Sequence, residues 1–165
     1  MKNRGKTLVV MVLVGLAVMG AYMWSNEVGT YRVTHVYDGD TIVVDMQGAS
    51  ETIRMIGADT PETVDPRKPV QCYGPEASAY THATLHAGMR VRLVADPLSS
   101  DRDRYGRLLR YVYLSDGTLY EEHLIEQGFA HAYIGFPFSR MQQFIQTEAR
   151  AKSLKNGLWA ACPAP

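Results

Sequence analysis

Cysteine is almost missing from this chain: Cys72 and Cys162, ninety positions apart, are the two in 165 residues. That scarcity excludes the closely spaced pairs of zinc fingers and thioredoxin-like redox motifs. It leaves one disulfide, the natural pairing in an exported protein, or two unrelated buried thiols. Net charge is missing too, with 17 Lys and Arg against 17 Asp and Glu. A polyanionic partner therefore has to be held by a local patch, because the chain as a whole gives no general attraction. Internal repeats and low-complexity tracts are absent. The five histidines are scattered, and His82 and His86 share helical spacing without a third ligand, so packing or surface roles are expected for them rather than zinc.

Long hydrophobic runs are also few; there is a single one. Lys2, Arg4 and Lys6 precede an uncharged stretch from Thr7 to Asn26. At 1.5 Å per residue those twenty positions span about 30 Å, the thickness of a bilayer core. The run reads as an uncleaved anchor, since apolar regions of signal peptides are shorter, roughly 7–15 residues. The small residues Gly15, Ala17, Gly20 and Ala21 keep a cleaved signal peptide open. Either way the remainder is placed outside the cytoplasm, anchored or secreted, because the positive end stays inside. The expected organisation is residues 1–27 as anchor or signal and 28–165 as one domain. Without the first 24 residues the balance becomes 14 basic against 17 acidic.

What is present after that break is strand-rich. "YRVTHVYDGDTIVVDMQG" alternates β-branched and aromatic residues on both sides of Asp38-Gly39-Asp40, a hairpin signal. "ETIRMIGAD" predicts a third strand over Glu51–Asp59, followed by a turn-rich stretch with Pro61, Pro66 and Pro69. "GPEASAYTHATLHAGM" predicts a helix opening at Pro75, with an apolar stripe at Ala77, Tyr80, Ala83, Thr84 and Ala87. "RVRLVADP" and "LLRYVYLSDG" predict two more strands. "LYEEHLIEQG" predicts a short helix closed by Gly128, and Ser139 is the expected N-cap of a last helix running to about Asn156-Gly157. Five strands and about three helices suit an α+β domain built on a small, partly open barrel of the OB type.

Polar residues stand at the ends of these strands. Asp40 ends the hairpin turn. Arg54 lies among Ile53, Met55 and Ile56, and Asp59, Thr60 and Glu62 follow in "GADTPET". Pro61 lacks an N–H and biases Thr60 away from helix, so these acids do not share a helical face. Arg107 enters the fifth strand from "DRDRYGR", whose alternating charges Asp101 to Arg104 read as a solvated loop. Singly, each has a dull explanation as a turn or surface residue. Together they are the equipment for phosphodiester cleavage. Oxygen ligands from Asp40, Asp59 and the Thr60 carbonyl suit Ca²⁺. Glu62 can orient or deprotonate a water, and Arg54 and Arg107 can neutralise charge building on phosphate oxygens.

In "VYDGDT", "IRMIGADTPET", "YGPEASAY", "DRYGRLLRYVY" and "GLWA", in that order and spacing, the sequence resembles the staphylococcal nuclease (thermonuclease) family from Thr30 to Trp159. The resemblance implies a five-stranded OB barrel with three helices and a calcium-dependent hydrolase acting on DNA and RNA, with 3′-phosphate ends. It implies Asp40, Asp59 and Thr60 as metal ligands and Arg54, Glu62 and Arg107 as catalytic residues. Tyr105 resembles a tyrosine that contacts a terminal phosphate of bound nucleotide. Tyr133 matches the first of two tyrosines that form a base-stacking platform, but Gly135 stands at the second place, with Phe136 beside it. No protein partner is implied. The rival expectation is a non-catalytic nucleic-acid or protein-binding module on the same barrel, since fold does not fix function. A third is an extracytoplasmic domain in which the acids only hold a stabilising ion. All five matching catalytic and carboxylate positions are intact, which favours the enzyme.

Overall fold

The computed structural model describes residues 29–63, 66 and 69–162. The apolar segment, the expected boundary at residue 27, and Arg67 and Lys68 lie outside the described residues. Among the described residues no helix is long and apolar enough to cross a membrane.

Five strands close into a barrel: β1 (Gly29–Val36), β2 (Thr41–Met46), β3 (Ala49–Met55), β5 (Arg90–Val94) and β6 (Leu108–Tyr113), in the spatial order β1-β2-β3-β6-β5. The hairpin pairings follow the alternating pattern of the sequence, and β3 meets β6 in parallel to complete the ring. In β1 the inward positions are Val33 and Val36 rather than two of equal parity, because the register shifts between Val33 and His35. Such a bulge adds a residue on one strand and tightens its twist, which helps a small barrel close. Val33, Ile42, Val44, Ile53, Met55, Val91, Leu93 and Val112 fill the interior.

The strand expected over Glu51–Asp59 is broken. It ends at Met55 and resumes as β4 (Ala58–Asp59), which pairs with β7 (His131–Ala132) outside the barrel. Gly57 makes the break: its φ is +74°, and a Cβ there would meet the Phe138 ring at 2.6 Å. Only glycine tolerates both the left-handed backbone and that approach. The kink turns Asp59 and Thr60 away from the barrel wall, toward Asp40.

Among the described residues four helices pack around this frame, one more than the expected three: α1 (Gly74–Thr84), α2 (Tyr120–Glu126), α3 (Met141–Leu154) and the single turn α4 (Leu158–Ala161). α1 has proline in its first turn, but its buried residues are Gly74, Ala77 and Thr81, followed by the buried C-cap Leu85, whereas Ala83 and Ala87 are exposed. The expected stripe was rotated toward solvent because small alanines mark a helix face poorly. α2 ends before Gly128 as expected. Ser139 does not cap α3. The helix starts at Met141 without a side-chain cap, and the Ser139 N–H donates instead to Asp96 Oδ2 at 2.8 Å. Asp96 also accepts the Tyr111 hydroxyl (2.8 Å) and the Leu98 N–H (2.8 Å). Burial alone pushes that carboxyl up, yet these three donors hold it below its ordinary range.

Cys72 and Cys162 form a disulfide, with Cα atoms 5.9 Å apart. It ties the segment before α1 to the residue after α4, across a separation of 90 residues. Closing a loop of that size restricts the unfolded chain by about 4–5 kcal/mol in the chain-entropy account. Reduction is therefore expected to lower the melting temperature markedly under otherwise identical conditions. A melting curve unchanged by reductant, with both thiols then open to alkylation, would contradict this.

Glu121, on α2, is fully buried, and both its oxygens accept the Val112 N–H, at 2.9 and 3.2 Å. Burial pushes its carboxyl well above the ordinary 4.5. A raised folded-state value means that the native chain holds a proton the unfolded chain releases, so stability falls as pH rises from about 4.5 toward that value. Glu121→Gln keeps an acceptor for Val112 and does not titrate. Its melting temperature is expected to gain on that of the native chain as pH rises from 4 to 8; parallel curves would refute the assignment.

Candidate active site

Asp40 sits at the turn leading into β2 and is 5% exposed. Its Oδ2 accepts the Thr60 N–H (2.9 Å) and the Thr60 hydroxyl (3.1 Å), and its Oδ1 accepts the Thr41 hydroxyl (3.0 Å). These bonds join the hairpin turn to the segment after β4. Arg54, from β3, lies between the two acids: its Nη2 is 3.3 Å from Asp40 Oδ2 and 2.7 Å from Asp59 Oδ1. Its Nη1 donates to the Met55 and Ala58 carbonyls, at 3.0 and 2.6 Å, so the guanidinium is fixed from both sides. Arg54 is therefore not the outward residue of an edge strand.

Arg107 reaches the same place from the entry to β6. Its Nε donates to Asp103 Oδ2 at 2.7 Å, and its Nη1 lies 3.5 Å from the Thr41 hydroxyl. Glu62 lies beyond Pro61, with its Oε1 accepting the Thr63 N–H at 2.9 Å. Asp38, Asp40, Arg54, Asp59, Thr60, Pro61, Glu62 and Arg107 together line a pocket of about 180 Å³. Burial pushes the Asp59 carboxyl above its ordinary value, against the pull of Arg54. Burial and the neighbouring Asp40 charge raise Asp38 to about 6.

A family model described as "Staphylococcal nuclease homologue" matches residues 52–161, two thirds of the chain. The chain belongs to the staphylococcal nuclease family. It is 45% identical over 132 residues to the thermonuclease of Staphylococcus hyicus, an alignment covering 79% of this chain and 76% of that protein. Identity to the thermonuclease of Staphylococcus intermedius is 43% over 128 residues, covering 76% and 74%. The endonuclease YncB of Bacillus subtilis (strain 168) is 41% identical over 125 residues, which are 74% of this chain and 58% of that protein. With this family and these relatives, the protein is a nuclease. The closed five-stranded barrel agrees with the family's OB fold.

Nucleases of the staphylococcal nuclease family are metal-dependent. Among the described residues no group of three or more His, Cys, Asp or Glu side chains is arranged to hold an ion. The donors at hand are fewer and harder. Asp40 Oδ1 accepts only the Thr41 hydroxyl among the described hydrogen bonds, and Asp59 has one oxygen beyond the Arg54 contact. Carboxylate oxygens of this kind suit a hard cation such as Ca²⁺ or Mg²⁺ better than zinc.

A larger cavity of about 550 Å³ shares Arg54, Asp59 and Arg107 with this pocket and is walled by Arg104, Tyr105, Tyr133 and Phe136. Tyr105 is 66% exposed, with the Arg104 and Arg107 guanidinium carbons 4.8 and 5.5 Å from its ring centre. The Tyr133 and Phe136 rings are 5.6 Å apart and inclined by 58°. Phe136 thus stands beside Tyr133 in the wall where Gly135 offers no ring. Cys72 and Cys162 line neither cavity.

The loop expected to be solvated, Asp101 to Arg104, is exposed at all but Asp103, and most of its charges are paired. Arg102 makes a two-pronged bond to Glu51 (2.9 and 3.0 Å), and Asp101 pairs with Arg110 at 2.6 Å. Asp103 matters most, because both its oxygens bind Arg107, through the backbone N–H (3.0 Å) and Nε (2.7 Å). Burial pushes Asp103 up, but the Arg107 and Tyr105 donors outweigh it and hold the carboxyl below its ordinary value. The four-residue interval in "DRYGR" was the one sequence signal for this pair.

Proposed function

We propose that this nuclease is calcium-dependent and hydrolyses phosphodiester bonds of DNA and RNA in the 180 Å³ pocket. The observation carrying the proposal is the convergence of Asp40, Asp59, Thr60, Arg54, Arg107 and Glu62, from four separate stretches of chain, on that one polar cavity.

Asp40, Asp59 and the Thr60 carbonyl would hold the ion, which when bound polarises a phosphate oxygen and neutralises its charge. Glu62 serves as the base that orients a water and takes its proton as the oxygen attacks phosphorus. Arg54 and Arg107 donate to the non-bridging oxygens as charge develops. Both are held in advance, Arg54 by two carbonyls and Arg107 by Asp103, so little reorganisation is needed at the moment of reaction. Departure of the 5′-oxygen would leave 3′-phosphate ends. Tyr105, with Arg104 and Arg107 beside it, suits a neighbouring phosphate, and Tyr133 and Phe136 suit a base face. Stacking of that kind contributes about 1–3 kcal/mol per base.

The disulfide supports an extracytoplasmic location, since such bonds persist in oxidising compartments. Tethering to a membrane by the apolar run Thr7–Asn26 is part of the same proposal. The test incubates purified protein with plasmid DNA or RNA in Ca²⁺, in chelator, and in chelator followed by excess Ca²⁺. Cleavage in the first and third conditions is expected. Equal cleavage in all three would reject calcium dependence.

A further inference from the structure

Glu62 is gripped through its backbone by one residue. Its N–H donates to Gln71 Oε1 at 2.8 Å, and its carbonyl accepts the Gln71 N–H at 2.9 Å. Glu62 and Gln71 thereby form a narrow neck, with eight residues between them in sequence. Exposed hydrogen bonds of this kind are individually weak, about 0.5–1.5 kcal/mol each, and do not fix a backbone unless their donor is itself fixed.

Gln71 is fixed on its far side twice over. Its carbonyl accepts the Gly74 N–H at 3.0 Å, which binds it to the first turn of α1. The next residue, Cys72, is bonded to Cys162, whose N–H donates to the Leu158 carbonyl at 2.9 Å. Leu158 is 5% exposed, and its own N–H donates to the Gly128 carbonyl at 2.9 Å. Finally, α1 presses directly on the Glu62 backbone: a Cβ at Gly74 would stand 3.0 Å from the Pro61 carbonyl oxygen and 3.2 Å from that of Glu62. The Glu62 backbone is thus clamped between Gln71 and the start of α1, and the clamp is bolted covalently to the C-terminal end of the domain.

We propose that Gln71 is a positioning residue for Glu62, held in place by the Cys72–Cys162 disulfide, so that turnover depends on the oxidation state of that bond. This rests on the reading of Glu62 as the base. Displacing a reacting group by about 1 Å costs as much as 10²-fold in rate, so a loosened neck acts on kcat with little change in substrate affinity.

The test compares Gln71→Met, which loses the side-chain acceptor at similar length, with Gln71→Glu, which keeps one. Gln71→Met is expected to lower kcat by about 10-fold with KM unchanged, and Gln71→Glu to restore most of it. Glu62→Gln is run in parallel, alone and combined with Gln71→Met. If Gln71 acts through the Glu62 carboxylate, adding Gln71→Met to Glu62→Gln changes nothing further. An equal loss in both backgrounds would reduce Gln71 to a general structural role. Full kcat in Gln71→Met, beside a crippled Glu62→Gln, would refute the positioning role while sparing the base. Full kcat in Glu62→Gln would instead remove the base. The double variant Cys72→Ser with Cys162→Ser, assayed below its melting temperature, should match Gln71→Met in kcat. If it matches the native protein, the disulfide has no part in the clamp.

Discussion

Arg107→Ala is expected to lower kcat by about 10²–10³-fold, and Glu62→Gln by about 10²–10⁴-fold, with the barrel intact in both. The first figure follows if Arg107, as proposed, donates to charge that develops only in the transition state. Alanine at 107 also leaves Asp103 without its side-chain partner, but Asp103 keeps the backbone N–H groups of residues 105 and 107, so local folding survives. The second follows from replacing a proton acceptor by an isosteric amide that can orient water but cannot take its proton. Steady-state kinetics on a defined oligonucleotide, with far-ultraviolet circular dichroism as a folding control, decide the matter. Activity of Arg107→Ala within a small factor of native would remove it from the reaction.

Asp40→Ala is the second large effect. It deletes one of the two carboxylates available to the ion and frees Arg54 from half of its ionic contact. Calcium affinity is expected to fall by about 10-fold or more, since affinity at such sites follows the charge of the ligand set. The substitution also strips the Thr60 N–H and hydroxyl of their acceptor, which costs about 1–3 kcal/mol of stability for the buried donor. Asp40→Asn separates the two consequences, because it keeps an acceptor oxygen and loses the charge. Isothermal titration with Ca²⁺ in the presence of a nucleotide inhibitor should show both variants weakened, and only alanine strongly destabilised. Native affinity in Asp40→Asn would take this carboxylate out of the metal site.

Much of the site was legible in the sequence because its residues violate their surroundings. Arg54 interrupts an apolar strand, and the acids of "GADTPET" follow a strand at a proline where neither helix nor sheet continues. Their convergence was not legible from local pattern; it depends on the kink at Gly57 and on the long-range bond between Asp40 and Thr60, twenty residues apart. The supporting residues escaped for a different reason. Asp103 and Gln71 sit in polar, turn-rich stretches where a side chain with a partner and one in solvent look alike. Asp96 took the Ser139 N–H from 43 positions away, so the expected capping of α3 failed through a contact no local signal could carry. The parallel pairing of β3 with β6, which closes the barrel, is likewise a tertiary event. The disulfide was readable only because so few cysteines left no other pairing.

On the proposed reading one pocket holds both the ion and the phosphate, with Glu62 at its rim. Anomalous diffraction from crystals grown with Ca²⁺ and a dinucleotide phosphorothioate tests it most directly. The expected map has the calcium peak within coordination distance of Asp40, Asp59 and the Thr60 carbonyl, and the phosphorus within hydrogen-bonding reach of Arg54 and Arg107. A calcium peak elsewhere on the protein, or a phosphate bound away from both arginines, would contradict it.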